Sequence, residues 1–272
     1  MSTTTSLTQS SSLIEANQTH FNGMAAANVN KRPDVVEMNR RVADQVRKMY
    51  GRFDPSTTEA LDFACGTGQS AVEEPCSLLR RLSRGFDARA VVKELTGAPD
   101  ELGGRKFDVI VCSMAYHHLF SISLATRALL THLRPSGTLL IIDIHQLPTA
   151  SLAATEMKTI DSVNQDYLHG FTEEEIRRLF VDEMGLGEFR REVFAHAFIC
   201  GDRTFVFPEG EGEEADRRAR GEAEKKGMEG VGGHGHGHGH GLGHGLEHTN
   251  GGAKVEFFIA MGTIGSRPDA TV

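Results

Sequence analysis

Two stretches of this 272-residue sequence combine residue types that can do chemistry. In the first, the short apolar run Ala60-Leu61-Asp62-Phe63-Ala64 leads straight into Cys65-Gly66-Thr67-Gly68. Glycines there let a backbone approach a ligand closely, and a strand that turns into a helix aims free N–H groups at whatever lies in the turn. The second is Tyr116-His117-His118, which follows the apolar run Phe107-Asp108-Val109-Ile110-Val111-Cys112 and then Ser113-Met114-Ala115. An imidazole near its unperturbed pKa is the natural base toward a phenol or an acidic carbon. A third stretch, Gly233 to His240, alternates glycine and histidine, so a flexible backbone could wrap several imidazoles around zinc, nickel or copper. Cys65, Cys76, Cys112 and Cys200 form no CxxC pair, and neither a disulfide framework nor a thiolate metal site is expected.

The elements that must position these residues are legible. Val35, Met38, Val42, Val46 and Met49 recur at three- and four-residue steps between Pro33 and Gly51, which predicts an amphipathic helix with proline at its start and glycine past its end. The runs Ala60–Ala64, Phe107–Cys112 and Thr138–Ile144 read as strands. A helix through Ile122, Ala125, Leu129 and Leu133 follows the second, and the turn Arg134-Pro135-Ser136-Gly137 leads into the third. Near-continuous apolar strands alternating with helices predict an α/β fold: a Rossmann-like, mostly parallel sheet covered on both faces, because only strands buried on both sides lose period-two alternation. Further on, Thr172 and Glu175 form a capping box ahead of Ile176, Leu179 and Phe180. Val193–Cys200 and Val255–Ile264 read as neighbouring strands joined by an overgrown loop.

That loop, residues 209–252, holds six of the 13 histidines; its first half alternates acid and base, as a solvated helix or a disordered segment would. Setting aside those 44 residues and about 15 mostly Ser/Thr residues at the start leaves roughly 213, one domain's worth. The expected organisation is a disordered tail over 1–16, a domain over 17–208 and 253–266, and a low-complexity insertion over 209–252. A net charge of −8 argues against nucleic acid or an anionic membrane surface as a primary partner. No apolar run approaches the roughly 20 residues that span a bilayer, and nothing resembles a signal or transit peptide, so a cytoplasmic location is expected.

The wording around these motifs resembles class I S-adenosylmethionine-dependent methyltransferases, of the small-molecule, ubiquinone-biosynthesis-like kind. Ala60 to Gly68 is similar to their first motif, Phe107 to His118 to their fourth-strand motif with its histidine pair, and Leu133 to Leu139 to the turn into their fifth strand. His169-Gly170-Phe171-Thr172 adds to the likeness, which spans about 17–208 and resumes at Val255. The resemblance implies methyl transfer from S-adenosyl-L-methionine to a small-molecule acceptor. It implies a cofactor site in which Asp62 lies near the methionine moiety, Gly66 and Gly68 admit the cofactor past the backbone, Ala64 and Cys65 belong to the same turn, and Ser113 and Met114 face the methyl donor. Ala64 stands where many relatives have a further glycine. Tyr116, His117 and His118 become the catalytic candidates.

One part of that plan is short. A helix, a strand, a second helix and a third strand with their loops need roughly 47 residues between the glycine turn and the fourth strand, whereas 38 lie between Gly68 and Phe107. Two alignments fit. In one, Asp87 ends the second strand and holds the ribose hydroxyls; in the other, Ala88–Glu94 is already the third strand, Glu94 lies near the adenine, and the ribose-binding acid is gone. The second accounts better for the lead-in to Phe107 and implies an impaired cofactor site. Two alternatives stand beside this reading. Gly66-x-Gly68-x-x-Ala71 also fits the dinucleotide fingerprint of an NAD(P)-dependent oxidoreductase. The chain would otherwise be a non-catalytic methyltransferase-like protein with a metal-binding histidine-rich loop.

Overall fold

The computed structural model of the chain describes residues 12–19, 32–54, 56–65, 91–146, 163–167, 169–199, 204–231 and 253–265. Six strands form one sheet in the order β1 (Ala60–Phe63), β2 (Phe107–Ser113), β3 (Leu133–Ile144), β6 (Ala253–Thr263), β4 (Gly187–Ile199) and β5 (Phe205–Val206). The first three run parallel, with Phe63 beside Cys112 and Ser113 beside Ile142. β6 lies antiparallel between β3 and β4, so β4 runs in the direction of β3, and β5 turns back along β4. The strands on either side of the glycine-rich insertion are therefore neighbours, as their sequences predict.

Alternate strand residues face opposite ways, and both faces are covered. The helix α1 (Pro33–Tyr50) starts on a proline and ends where Gly51, in the left-handed region at φ 58°, gives its N–H to the Arg47 carbonyl. It buries Met38, Val42, Val46 and Met49 against Val109, Val111, Leu140, Ile142, Ile259 and Met261, each such side chain contributing roughly 1.5–3 kcal/mol. On the other face, α2 (Ile122–Thr131) and α3 (Glu173–Arg177) bring Leu129 and Ile176 onto Ile110, Cys112, Leu139, Ile141 and Phe258. The Thr172 hydroxyl accepts the Glu175 N–H at 3.0 Å, and the Glu175 carboxylate accepts the Thr172 N–H at 2.8 Å, which completes the capping box. Past Arg177 the helix widens into a π turn, with Met184 N–H reaching the Leu179 carbonyl five residues back. The turn inserts Phe180 where Gly262 of β6 leaves space: a Cβ there would lie 2.7 Å from the Phe180 ring.

One expected strand is corrected. Residues 91–94 are not a strand; Val92 is 93% exposed and Glu94 is exposed. A β-branched pair followed by Lys93 and Glu94 has the composition of a strand but buries nothing here. The chain enters β2 through a different device, a loop closed by Glu101. Its carboxylate accepts the backbone N–H of Thr96 at 2.9 Å, the Thr96 hydroxyl at 2.7 Å, the Gly97 N–H at 3.0 Å and the His132 ring N–H at 3.2 Å. The Thr96 N–H first, and these other donors with it, pull the carboxyl down to about 2. A depressed acid stabilises the fold fully above its unfolded pKa, near 4.5, and loses that contribution as pH falls toward 2. The Thr96 and Gly97 amide resonances are therefore expected to titrate with a midpoint near 2; a midpoint near 4.5 would contradict the lock.

Residues 12–19 are helical. The charged half of the insertion is the helix α4 (Glu213–Val231), docked on the sheet through Ala219 and Ala223, which pack with Phe198 and Val206, while Ala215 is buried one turn earlier. Alanine at every fourth position, 215, 219 and 223, makes an apolar face that overall composition conceals. Asp216 accepts the His196 ring N–H at 2.8 Å, and Arg220 stands over Phe198, tying the helix to β4. Among the described residues no helix is long and apolar enough to cross a membrane.

Candidate functional site at the carboxyl end of the sheet

Because β1, β2 and β3 are parallel and in register, their carboxyl ends open on the same side, the side on which open α/β sheets bind ligands. β1 and β2 end alike. Ala64 and Met114, each immediately after its strand, take left-handed φ values of 57° and 54°. The two turns lie side by side and carry the chain away from the strand ends. Asp62 and Phe63 are half-buried, while Ala64 and Cys65 are exposed. Ser113 and Met114 are half-buried, and Met114 N–H is fixed to the Ile142 carbonyl at 2.8 Å. Gly66, Gly68, Ala71 and Asp87 lie outside the described residues.

A left-handed alanine costs roughly 1–2 kcal/mol that glycine does not, partly offset by the larger freedom glycine loses on folding. The departure at position 64 is thus a strained turn. Ala64→Gly is expected to stabilise the protein by about 0.5–1 kcal/mol, read as a melting temperature higher by a few degrees; a lower one would show that the turn is not held left-handed.

The segment after β2 divides its three candidates. Tyr116 is fully buried, and its hydroxyl lies 3.0 Å from Thr126 Oγ1 in α2, whose own hydroxyl bonds the Ile122 carbonyl. Burial pushes its phenol well above the usual range. Tyr116 is thus a buried residue whose hydroxyl links the turn after β2 to α2. His117 and His118 share the 3₁₀ turn Tyr116–His118 with their rings 4.1 Å apart. His117 Nδ1 lies 2.7 Å from Asp143 Oδ1, with the two side chains 7% and 0% exposed. The His117 backbone N–H donates to Asp143 Oδ2 at 3.3 Å, and the Ile144 N–H to Oδ1 at 2.7 Å. His118 is half-buried, and its carbonyl accepts from Asn17 in the short N-terminal helix at 2.9 Å.

Two residues that sequence reasoning missed complete this corner. Asp143 interrupts the apolar run Ile141-Ile142-Asp143-Ile144, and a carboxylate inside a buried strand needs partners; that interruption was a usable signal. Asn164 had none. Its N–H donates to the His117 carbonyl at 2.9 Å, its amide to the carbonyls of Leu119 at 2.8 Å and Phe120 at 3.2 Å, and its Oδ1 accepts the Asp166 N–H at 3.0 Å. The loop it anchors returns to the sheet at Gly170 and Phe171, where Phe171 N–H meets the Ile144 carbonyl and Gln146 N–H meets the Phe171 carbonyl.

Three other described histidines, His132, His145 and His196, are held by side-chain partners. His132 serves the Glu101 lock. His145 Nδ1 accepts from the Arg191 guanidinium at 2.7 Å, which fixes its ring proton on Nε2 because arginine only donates. Cys65 is an exposed thiol at the end of β1, and burial pushes the Cys112 thiol well up. Among the described residues no cluster of three or more histidine, cysteine or acidic side chains could hold a metal; the Gly233–His240 tract lies outside them.

The model of a methyltransferase domain family matches residues 36–186, more than half of the chain. An uncharacterised methyltransferase of Schizosaccharomyces pombe is 26% identical over 160 residues, covering 50% of this chain and 56% of that protein, so the match spans little more than half of that relative's length. Among solved structures, the YcgJ protein of Bacillus subtilis aligns with a TM-score of 0.43 at 12% identity, covering 83% of this chain and 99% of the other. A SAM-dependent methyltransferase of Archaeoglobus fulgidus aligns with 0.39 at 15% identity, covering 90% and 97%. The family match lends nothing to the nicotinamide alternative.

Proposed function

The chain belongs to the methyltransferase domain family, and from that premise we propose that it transfers the methyl group of S-adenosylmethionine to a small-molecule acceptor, with a weakened hold on the cofactor. The observation that carries the reading is the pair of left-handed turns at the adjacent ends of β1 and β2, beside the His117–Asp143 pair. In this reading Asp62 and the turn through Ala64, Cys65, Gly66 and Gly68 hold the methionine end of the cofactor, and Ser113 and Met114 line the path of the methyl group. The bound cofactor supplies an electrophilic methyl on a sulfonium; the protein's own contribution is to align an acceptor with it and to take a proton.

The weakened hold follows from the shortened stretch before β2. Glu94, the acid available in the favoured alignment, lies exposed on a segment that is not a strand. A cofactor hydroxyl that lacks its charged acceptor forgoes about 1.5–3 kcal/mol, or roughly one to two decades of affinity. The acceptor is read as a small molecule because the net charge of −8 offers nothing to a phosphate backbone.

The test is transfer of label from methyl-tritiated S-adenosylmethionine to pooled phenols, enols, carboxylic acids and thiols, with RNA and a protein lysate in parallel. Label in a small-molecule pool, suppressed by S-adenosylhomocysteine, is the expected result. Label confined to RNA or protein would overturn the acceptor class, and label nowhere would favour a non-catalytic protein.

A further inference from the structure

Resting on the methyl-transfer reading, we propose that Asp143 is a positioning residue that holds His117 in the Nδ1–H tautomer and leaves Nε2 to take the acceptor's proton. A carboxylate oxygen can only accept, so the 2.7 Å contact between Asp143 Oδ1 and His117 Nδ1 puts a proton on Nδ1. A neutral imidazole with its proton on Nδ1 has its lone pair on Nε2. Among the described residues no hydrogen-bond partner is recorded for Nε2, and the ring keeps 7% of its surface exposed.

The carboxylate is itself held by the Ile144 and His117 backbone N–H groups, and Asn164 N–H holds the His117 carbonyl, so ring and carboxylate are fixed to one another from β3 and from the turn after β2. The neighbouring hydroxyl cannot do the same work, because the Tyr116 phenol is engaged with Thr126 in the core.

The proton count closes without a further reactant. The acceptor's O–H gives its proton to Nε2, its oxygen lone pair forms the bond to the methyl carbon, and the carbon–sulfur bond breaks with its electron pair going to sulfur. The products are the methyl ether and S-adenosylhomocysteine. Asp143 stabilises the imidazolium through Nδ1–H, and the extra proton leaves to water with the product. A phenol or an enol, whose O–H lies closer in acidity to an imidazolium than that of an aliphatic alcohol, is the acceptor class this arrangement serves best.

The wild-type protein gives the first test. In long-range ¹H–¹⁵N correlation spectra near neutral pH, with the ring assigned by its loss in His117→Gln, His117 is expected to show a protonated Nδ1 and a bare Nε2; the opposite tautomer overturns the proposal. The second test is Asp143→Asn, whose amide can donate to the ring and turn the tautomer over. With the phenol or enol acceptor found by label transfer, kcat is expected to fall about 100-fold or more, with cofactor affinity by calorimetry unchanged to within roughly threefold. A changed tautomer with an unchanged kcat makes Asp143 merely structural and overturns the proposal. If Asp143→Asn does not fold, the wild-type spectrum decides. A wild type that binds no cofactor defeats the methyl-transfer reading instead, and the tautomer reports on Asp143 independently of it.

Discussion

Replacing Gly170 with alanine is expected to destabilise the protein by roughly 3–5 kcal/mol and to lower its melting temperature by roughly 10 °C or more. Two effects add. Gly170 sits at φ +70°, which costs an alanine about 1–2 kcal/mol. Its added Cβ would also lie 2.6 Å from the Ile144 carbonyl oxygen and 2.8 Å from that of His145, both backbone atoms at the end of β3 that no rotamer change can move. Those carbonyls are where the returning loop joins the sheet, so relief by shifting the chain would break the Phe171 N–H to Ile144 bond. Differential scanning calorimetry reads the result; a shift below about 2 °C would mean that the loop does not pass so close to the strand.

Asn164→Ala is expected to cost roughly 2–3 kcal/mol and, unlike the glycine change, to act directly on the turn that carries His117. The substitution removes the amide donor of two carbonyls, at Leu119 and Phe120, and the acceptor of the Asp166 N–H, while leaving the backbone bond to the His117 carbonyl. A side-chain hydrogen bond contributes about 0.5–1.5 kcal/mol, and more when a partner is left buried without replacement. Denaturant unfolding gives the stability change, and amide exchange at Leu119 and Phe120 gives its location. Exchange that quickens there but not in β3 is the expected pattern; uniform quickening would show that Asn164 supports the whole domain and not this turn.

Sequence reasoning reached the parallel strands, α1 and the capping box because each is written locally: an apolar run, a three-to-four spacing, a Thr-x-x-Glu pair. It also placed the strands on either side of the insertion as neighbours. What it missed are features written between distant residues. The Glu101 lock depends on His132, 31 positions away, and the pairing of His117 with Asp143 spans 26. The direction of the Tyr116 side chain, into α2, is likewise set by packing and is not written in its position beside the histidines. The stripe at Ala215, Ala219 and Ala223 was hidden by the charged residues around it, since alanine raises average hydrophobicity very little. The strand expected at 88–94 failed over its described part, 91–94, because two exposed valines satisfy a propensity without a sheet to receive them.

The proposed cofactor site lies at the carboxyl ends of β1 and β2, with a deficient ribose-binding side. Isothermal titration of the full chain with S-adenosylmethionine, and with S-adenosylhomocysteine as its competitor, tests it most directly. The expected result is saturable one-to-one binding with Kd above about 100 μM, two decades or so from a micromolar site that has lost its charged hydroxyl acceptor. Low-micromolar or tighter binding would contradict the deficiency, and no saturable heat up to several millimolar would contradict the site itself.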